Sequence, residues 1–263
     1  MKNISIGQFF PGDSVIHKMD PRAKLLLSIA MIVVLFIVKT WIGYAAVFAV
    51  LVATIIASRV SVKFVLRGLK PLWFLILLTF VLNLFFYSGE TLLVKWWIIK
   101  IYLEGVIKAV TIAIRLILLI MTTSLLTLTT SPMDITAAIE SLLKPLKVVH
   151  FPVHELALMM SIALRFIPTL MEETDRIMKA QTARGASFSE GNIIARAKGI
   201  VPILVPLFVS AFKRADDLAL AMEARCYDAD AKRTSMKKMT FTWRDLIGLI
   251  VIAALIVGLC FGM

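Results

Sequence analysis

The chain has 263 residues, 60% of them hydrophobic, and a mean hydropathy of +0.90. Soluble domains carry roughly 45–50% apolar residues, so an aqueous globular protein is excluded and the bilayer is this chain's solvent. The formal charge of +12 falls on cations flanking apolar runs, where the positive-inside rule expects them, so it points to a membrane and to no nucleic acid.

Residues 1–24 contain Asp13, Asp20 and Pro21 and lack the short apolar core of a signal peptide. Five apolar runs follow, at 25–38, 41–58, 71–88, about 105–130 and 246–263. Residues 41–58 alone reach about 27 Å at 1.5 Å per residue, close to the hydrocarbon thickness. Lys39 and Thr40 leave almost no loop, so the first two runs form a hairpin. Pro71 suits a helix start, and Asn83 is the one strongly polar residue of the third run. The expected fold class is all-α, a polytopic membrane protein with about five transmembrane helices and a cytoplasmic domain of long amphipathic helices. Its divisions are 1–130 for the N-terminal region and first four spans, 131–243 for the cytoplasmic helices and 244–263 for the last span.

Arg59, Lys63, Arg67 and Lys70 occupy residues 59–70 with no acid, whereas 89–104 balances Lys95 and Lys100 against Glu90 and Glu104 and includes Trp96 and Trp97. The first of these loops is therefore expected in the cytoplasm. The N-terminus and the stretch 131–244 follow it there, and the C-terminus lies outside. In the fourth run, Lys108 and Arg115 share one face, with Glu104 a turn before Lys108. Snorkelling is expected for Lys108, and bonds to backbone carbonyls or Asn83 for Arg115.

Within 131–243, Leu156, Met160, Ala163, Ile167, Leu170 and Ile177 recur at helical spacing. The opposite face carries Arg165, Glu172, Arg176 and Lys179, with Glu172→Arg176 and Asp175→Lys179 in the favourable i,i+4 order. Gly185 is a ready C-terminal cap, which places Arg184 in the final turn. A second unit runs from near Ser189 to about Arg225. Its apolar stretch 200–212 is too short to span and is broken by Pro202 and Pro206, so it is read as a kinked interfacial helix, a helix packed under the membrane domain, or a re-entrant segment. Beyond it Phe208, Phe212, Ala215, Ala219 and Met222 form a stripe ending at Arg225.

Two motifs thus close two helices: Ala183-Arg184-Gly185 and Ala224-Arg225-Cys226. The helix dipole alone accounts for an arginine in one last turn. Repetition favours a second reading, a pair of planar donor forks aimed at carboxylates on a partner. Met159, Met160, Met171, Met178 and Met222 offer adaptable thioethers for a further contact surface, or pack the helices on each other. His150, His154 and Glu155 lack a third ligand in register, and Pro152 breaks their face, so no metal is expected. His17 is expected to orient a turn. The chain contains no G-x-x-x-x-G-K-[ST], so no cofactor is expected and any ATP is bound and hydrolysed by a partner.

Pro11-Gly12-Asp13-Ser14 with His17-Lys18-Met19-Asp20-Pro21-Arg22, Arg165-Phe166-Ile167-Pro168 leading to Ala180-Gln181-Thr182-Ala183-Arg184-Gly185, and Ala224-Arg225-Cys226 together resemble the T component of energy-coupling factor (ECF) transporters. The resemblance covers nearly the whole chain. It implies a non-enzymatic subunit of an ABC-type importer in the cell membrane, joining two cytoplasmic ABC ATPases to a small membrane-embedded S component for uptake of vitamins or other micronutrients. It also implies that Arg184 and Arg225 dock on the ATPases; the adaptability of thioethers makes the five methionines candidate S-component contacts. Cysteine at the third position of the second motif departs from the more usual glycine. The alternatives are an autonomous secondary transporter or channel, which calls for internal repeats and broken midplane helices, and a membrane enzyme, which calls for clustered titratable groups. The sequence supplies neither pattern.

Overall fold

The computed structural model describes residues 9–87, 91–96, 99–145, 152–186, 193–228 and 240–261. Its helices are α1 (Pro21–Ile37), α2 (Trp41–Ser58), α3 (Val62–Arg67), α4 (Trp73–Phe86), α5 (Leu103–Thr129), α6 (Pro132–Leu143), α7 (Val153–Ala183), α8 (Ile193–Ala224) and α9 (Trp243–Phe261). The fold class is the expected polytopic all-α one, with one antiparallel hairpin among the described residues, β1 (Leu92–Trp96) and β2 (Ile99–Tyr102), between α4 and α5. The chain forms two compact units, Met1–Leu142 with Met239–Met263, and Leu143–Lys238. Trp97, His150, Ser189 and Glu90 lie outside the described residues.

The first unit is assembled around its polar N-terminal segment. Asp20 caps α1 by accepting from the Arg22 N–H, with Pro21 at the first helical position, where its missing N–H costs nothing. The Asp20 N–H in turn donates to Asp245 Oδ1 at 2.9 Å, and the Thr242 N–H donates to Asp245 Oδ2 at 2.7 Å, which ties the start of α9 to the start of α1. Lys24, buried, donates from Nζ to the carbonyls of His17 and Thr129, joining α1 to the end of α5. His17 orients its turn as expected: Nε2 donates to the Phe10 carbonyl at 3.0 Å, which leaves Nδ1 to accept from the Ser14 hydroxyl at 2.7 Å. Below this polar end an apolar core of Val34, Leu35, Val47, Leu51, Val65 and Leu118 is closed to solvent.

Asp245 is fully buried and accepts two backbone bonds. Asp245→Ala should destabilise the membrane unit by about 2–4 kcal/mol, because bonds to a charged acceptor are worth roughly 1.5–3 kcal/mol and the buried Asp20 N–H loses its partner. Thermal unfolding in detergent reads the loss, and an unchanged midpoint would contradict it.

The structure refines the expectations for the loops and for the fourth run. Residues 59–70 are not simply a loop: α3 and a 3₁₀ turn at Lys70–Leu72 occupy most of them. Val65 anchors α3 in the core, and Gly68 lets the chain approach α5 so closely that an added Cβ would overlap Ser124 Oγ. Pro71 therefore sits in the 3₁₀ turn, and α4 starts at Trp73. Residues 92–102, rich in β-favouring Val94, Trp96, Ile99, Ile101 and Tyr102, pair as the hairpin. Lys108 does not pair with Glu104: its ammonium stands 4.6 Å from the Tyr87 ring centre, while Glu104 Oε1 accepts from the Thr91 N–H and hydroxyl. Arg115 bonds a carbonyl, that of Val38, but its other partner is the Tyr44 hydroxyl, and Asn83 donates to the Thr79 carbonyl.

By length and apolarity Trp41–Ser58, Val62–Phe86, Leu103–Thr129 and Val153–Ala183 are long enough to cross a bilayer. The 17 residues of α1 reach about 26 Å at 1.5 Å each. The second half of α7 carries Glu172, Glu173, Asp175, Arg176 and Lys179 within eight residues, which no spanning segment tolerates in contact with lipid.

Candidate functional site

The second unit is a pair of long helices, α7 of 31 residues and α8 of 32. Contacts fix their direction. Ser210 Oγ donates to Glu173 Oε1 at 2.7 Å, the Arg214 guanidinium pairs with Glu173 Oε2, and Gln181 Nε2 reaches the Pro202 carbonyl at 3.5 Å. As numbering rises along α7 it falls along α8, so the two helices pack antiparallel. Their C-terminal ends point apart.

Pro202 and Pro206, read from the sequence as kinking this segment, both lie inside one continuous helix. Pro206 has no N–H for the Pro202 carbonyl, and that freed acceptor is the atom Gln181 reaches. The interruption is thereby converted into a contact between the helices.

Glu173 was not singled out by the sequence reading, although the signal was present. It stands three residues after Leu170 and four before Ile177, a charge on an otherwise apolar stripe. The Ser210 hydroxyl, and then the Arg214 charge, hold its carboxyl below the usual carboxylate range. Glu172→Arg176 and Asp175→Lys179 do not close as ion pairs; the one ion pair among the described residues of this unit runs between helices, Glu173 to Arg214.

The two arginine motifs adopt the same backbone. At the first, Arg184 is the C-cap, Gly185 turns left-handed with φ 88°, its N–H donates to the Thr182 carbonyl, and the Ala186 N–H donates to the Gln181 carbonyl. At the second, Cys226 turns left-handed with φ 53°, its N–H donates to Glu223, and the Tyr227 N–H donates to Met222. Both are Schellman caps, in which carbonyls left over at the helix end are satisfied by the main chain. Cysteine in place of glycine therefore leaves the geometry intact, at a conformational cost. Arg184 and Arg225 occupy equivalent positions, exposed, and their side chains make no hydrogen bond or ion pair among the described residues. From the Glu173–Ser210 contact, 11 residues of α7 and 15 of α8 lead to them in opposite directions, so the side chains stand on the order of 40 Å apart.

A left-handed residue other than glycine costs roughly 1–2 kcal/mol. Cys226→Gly should accordingly raise the stability of this unit by up to about 1 kcal/mol, and Gly185→Ala should lower it by about 1 kcal/mol, since nothing crowds the Cβ and only the dihedral is penalised. Unfolding monitored by helical circular dichroism measures both; equal signs for the two changes would contradict the shared cap.

Of the five methionines, Met159 and Met160 are exposed, whereas Met171, Met178 and Met222 are half-buried. The α8 stretch expected to be apolar presents Val201, Val205, Phe208, Val209 and Phe212 on one exposed face. Among the described residues there is no group of three His, Cys, Asp or Glu side chains arranged to hold a metal ion.

Residues 12–236 match the model of the CbiQ family, described as cobalt transport protein. The chain is 53% identical over 258 residues to the energy-coupling factor transporter transmembrane protein EcfT of Thermosediminibacter oceani, covering 98% of this chain and 97% of that one. It is 54% identical over 248 residues to the protein of the same name from Clostridium kluyveri, covering 94% and 92% of the two chains. The Lactococcus lactis subsp. cremoris EcfT is 45% identical over 260 residues, with 98% of each chain covered. With the arginine-capped helix pair and the multi-pass apolar unit in place, these matches close the identification: the chain belongs to the EcfT/CbiQ family, the transmembrane T components of ECF transporters.

Proposed function

We propose that this T component holds two cytoplasmic ABC ATPases, one on each arginine-capped helix end, and couples their movement to a small membrane-embedded S component that brings vitamins or other micronutrients into the cell. One observation carries the reading: two equivalent exposed arginines, each without a partner among the described residues, project from opposite ends of one antiparallel helix pair. A guanidinium fork on a helix end suits a carboxylate groove, and two ends facing apart suit two copies of one partner. The basic run Arg59, Lys63, Arg67 and Lys70 supports placing the N-terminus and α7–α8 in the cytoplasm, with the C-terminus outside. ATP chemistry belongs to the partners, and this chain contributes none.

The S component is assigned to the exposed apolar face of α8 with Met159 and Met160, while the half-buried Met171, Met178 and Met222 serve helix packing. Cysteines introduced at Met160 and Phe208 should crosslink to a small membrane protein in the purified complex. Crosslinks confined to this chain would return those positions to internal packing. Purification of the chain with its natural partners should yield cassette ATPases and a small membrane protein together; their absence from a transport-competent preparation would contradict the reading as a whole.

A further inference from the structure

The first unit contains a cavity of about 400 Å³ between α1, α2, α5 and α9, walled by Leu27, Met31, Leu51, Leu125, Ile247 and Ile252. Most of its polarity is already spent. Thr54, Thr122 and Thr129 donate their hydroxyls to carbonyls of their own helices, at Val50, Leu118 and Leu125, and Lys24 Nζ is committed to His17 and Thr129. A polar occupant would find only the Ser28 hydroxyl to bond along these walls, so burial there favours an apolar chain.

One lining group is different. Arg244, in the first turn of α9, is exposed and has no hydrogen bond or ion pair among the described residues. Trp243 beside it is 77% exposed, as an aromatic residue at a membrane–water boundary is. The neighbouring Asp245 carboxylate is turned inward onto the Asp20 and Thr242 N–H groups and does not compete for Arg244. The slot thus has an unsatisfied cation at one end and hydrocarbon along its length. From Arg244 to Ile252 it runs eight residues, about 12 Å, against about 15 Å for half of the hydrocarbon core. We infer that this slot is a site for one acyl chain of an anionic phospholipid, whose phosphate is held by Arg244.

The test uses the full chain in nanodiscs of phosphatidylcholine carrying a small fraction of phosphatidylglycerol with a photoactivatable diazirine on its acyl chain. Adducts are expected to concentrate on Leu27, Met31 and Ile252 over the exposed Phe36 and Phe48. Ala53→Phe, which places a ring in the slot, should reduce those adducts severalfold. Arg244→Gln should remove a preference of about fivefold for phosphatidylglycerol over an equivalent phosphatidylcholine probe, the scale of one arginine on an anionic lipid. Because Arg244 has no partner to lose, this arm decides the question even where Ala53→Phe misfolds. Even labelling of all lipid-facing residues, or equal labelling by the two probes in the unmodified chain, would overturn the site. Crosslinking of the slot to a co-purifying membrane subunit would also overturn it, in favour of a protein occupant.

Discussion

Replacing Arg184 and Arg225 together by alanine is expected to abolish ATPase association and coupled uptake while the membrane unit inserts and folds normally. The side chains are exposed and bond to nothing among the described residues, and both caps are made by main-chain N–H groups, so truncation leaves the helix ends intact. Under the proposed docking the cost falls on the partner, whose carboxylate would be left unpaired in its groove. Truncating one member of a buried charge pair costs about 2–5 kcal/mol, which at 1.4 kcal/mol per decade weakens each contact roughly 30-fold to several thousandfold. Two such losses exceed what a multi-subunit complex survives during purification. Co-purification from membranes and uptake by whole cells measure the two consequences; normal assembly and normal uptake would remove both arginines from the docking role.

The second large effect is expected from locking α7 to α8. Glu173, Ser210 and Arg214 meet near the middle of the pair, so a change in the angle between the helices must move this contact. Cysteines at Glu173 and Ser210, joined by a short cleavable thiol crosslinker in a chain carrying Cys226→Gly and Cys260→Ala, should permit assembly and ATP binding but reduce transport to background. Cleavage of the linker should restore it. A coupling element needs two arrangements whose balance ATP binding shifts, and the lock removes one of them. Full transport with the crosslink demonstrably closed would make the pair a rigid scaffold and place the coupling elsewhere.

Much of this architecture was legible because it rests on periodicity and on residues with one strong conformational use. The apolar runs fixed most span positions, and Gly185 announced the end of α7 because few other residues turn left-handed without strain. Cys226 announced nothing, since its left-handed turn is imposed by the cap and not by the residue's own preference. The hairpin at residues 92–102 was hidden by its charges, and α3 by being only six residues long. Pro202 and Pro206 were legible as interruptions of a helix, but the contact one of them makes was not. A proline breaks a helix when its freed carbonyl is left unsatisfied, and Gln181, 21 residues earlier, answers that need from another helix. The N-terminal Asp20 was readable only as part of a resemblance, and Lys24 not at all, because their partners Asp245 and Thr129 lie more than a hundred residues away. Long-range polar pairing of that kind leaves no local pattern.

The central claim is that each arginine end carries its own ATPase. Charge reversal tests it one end at a time: the complexes of Arg184→Glu and of Arg225→Glu are purified separately and their subunit composition is read by native mass spectrometry. Each single variant is predicted to lose one ATPase contact, giving complexes with one ATPase where the unmodified chain holds two, or none where the ATPases bind only as a pair. A full complement of two ATPases in both single variants and in the double variant would contradict the account.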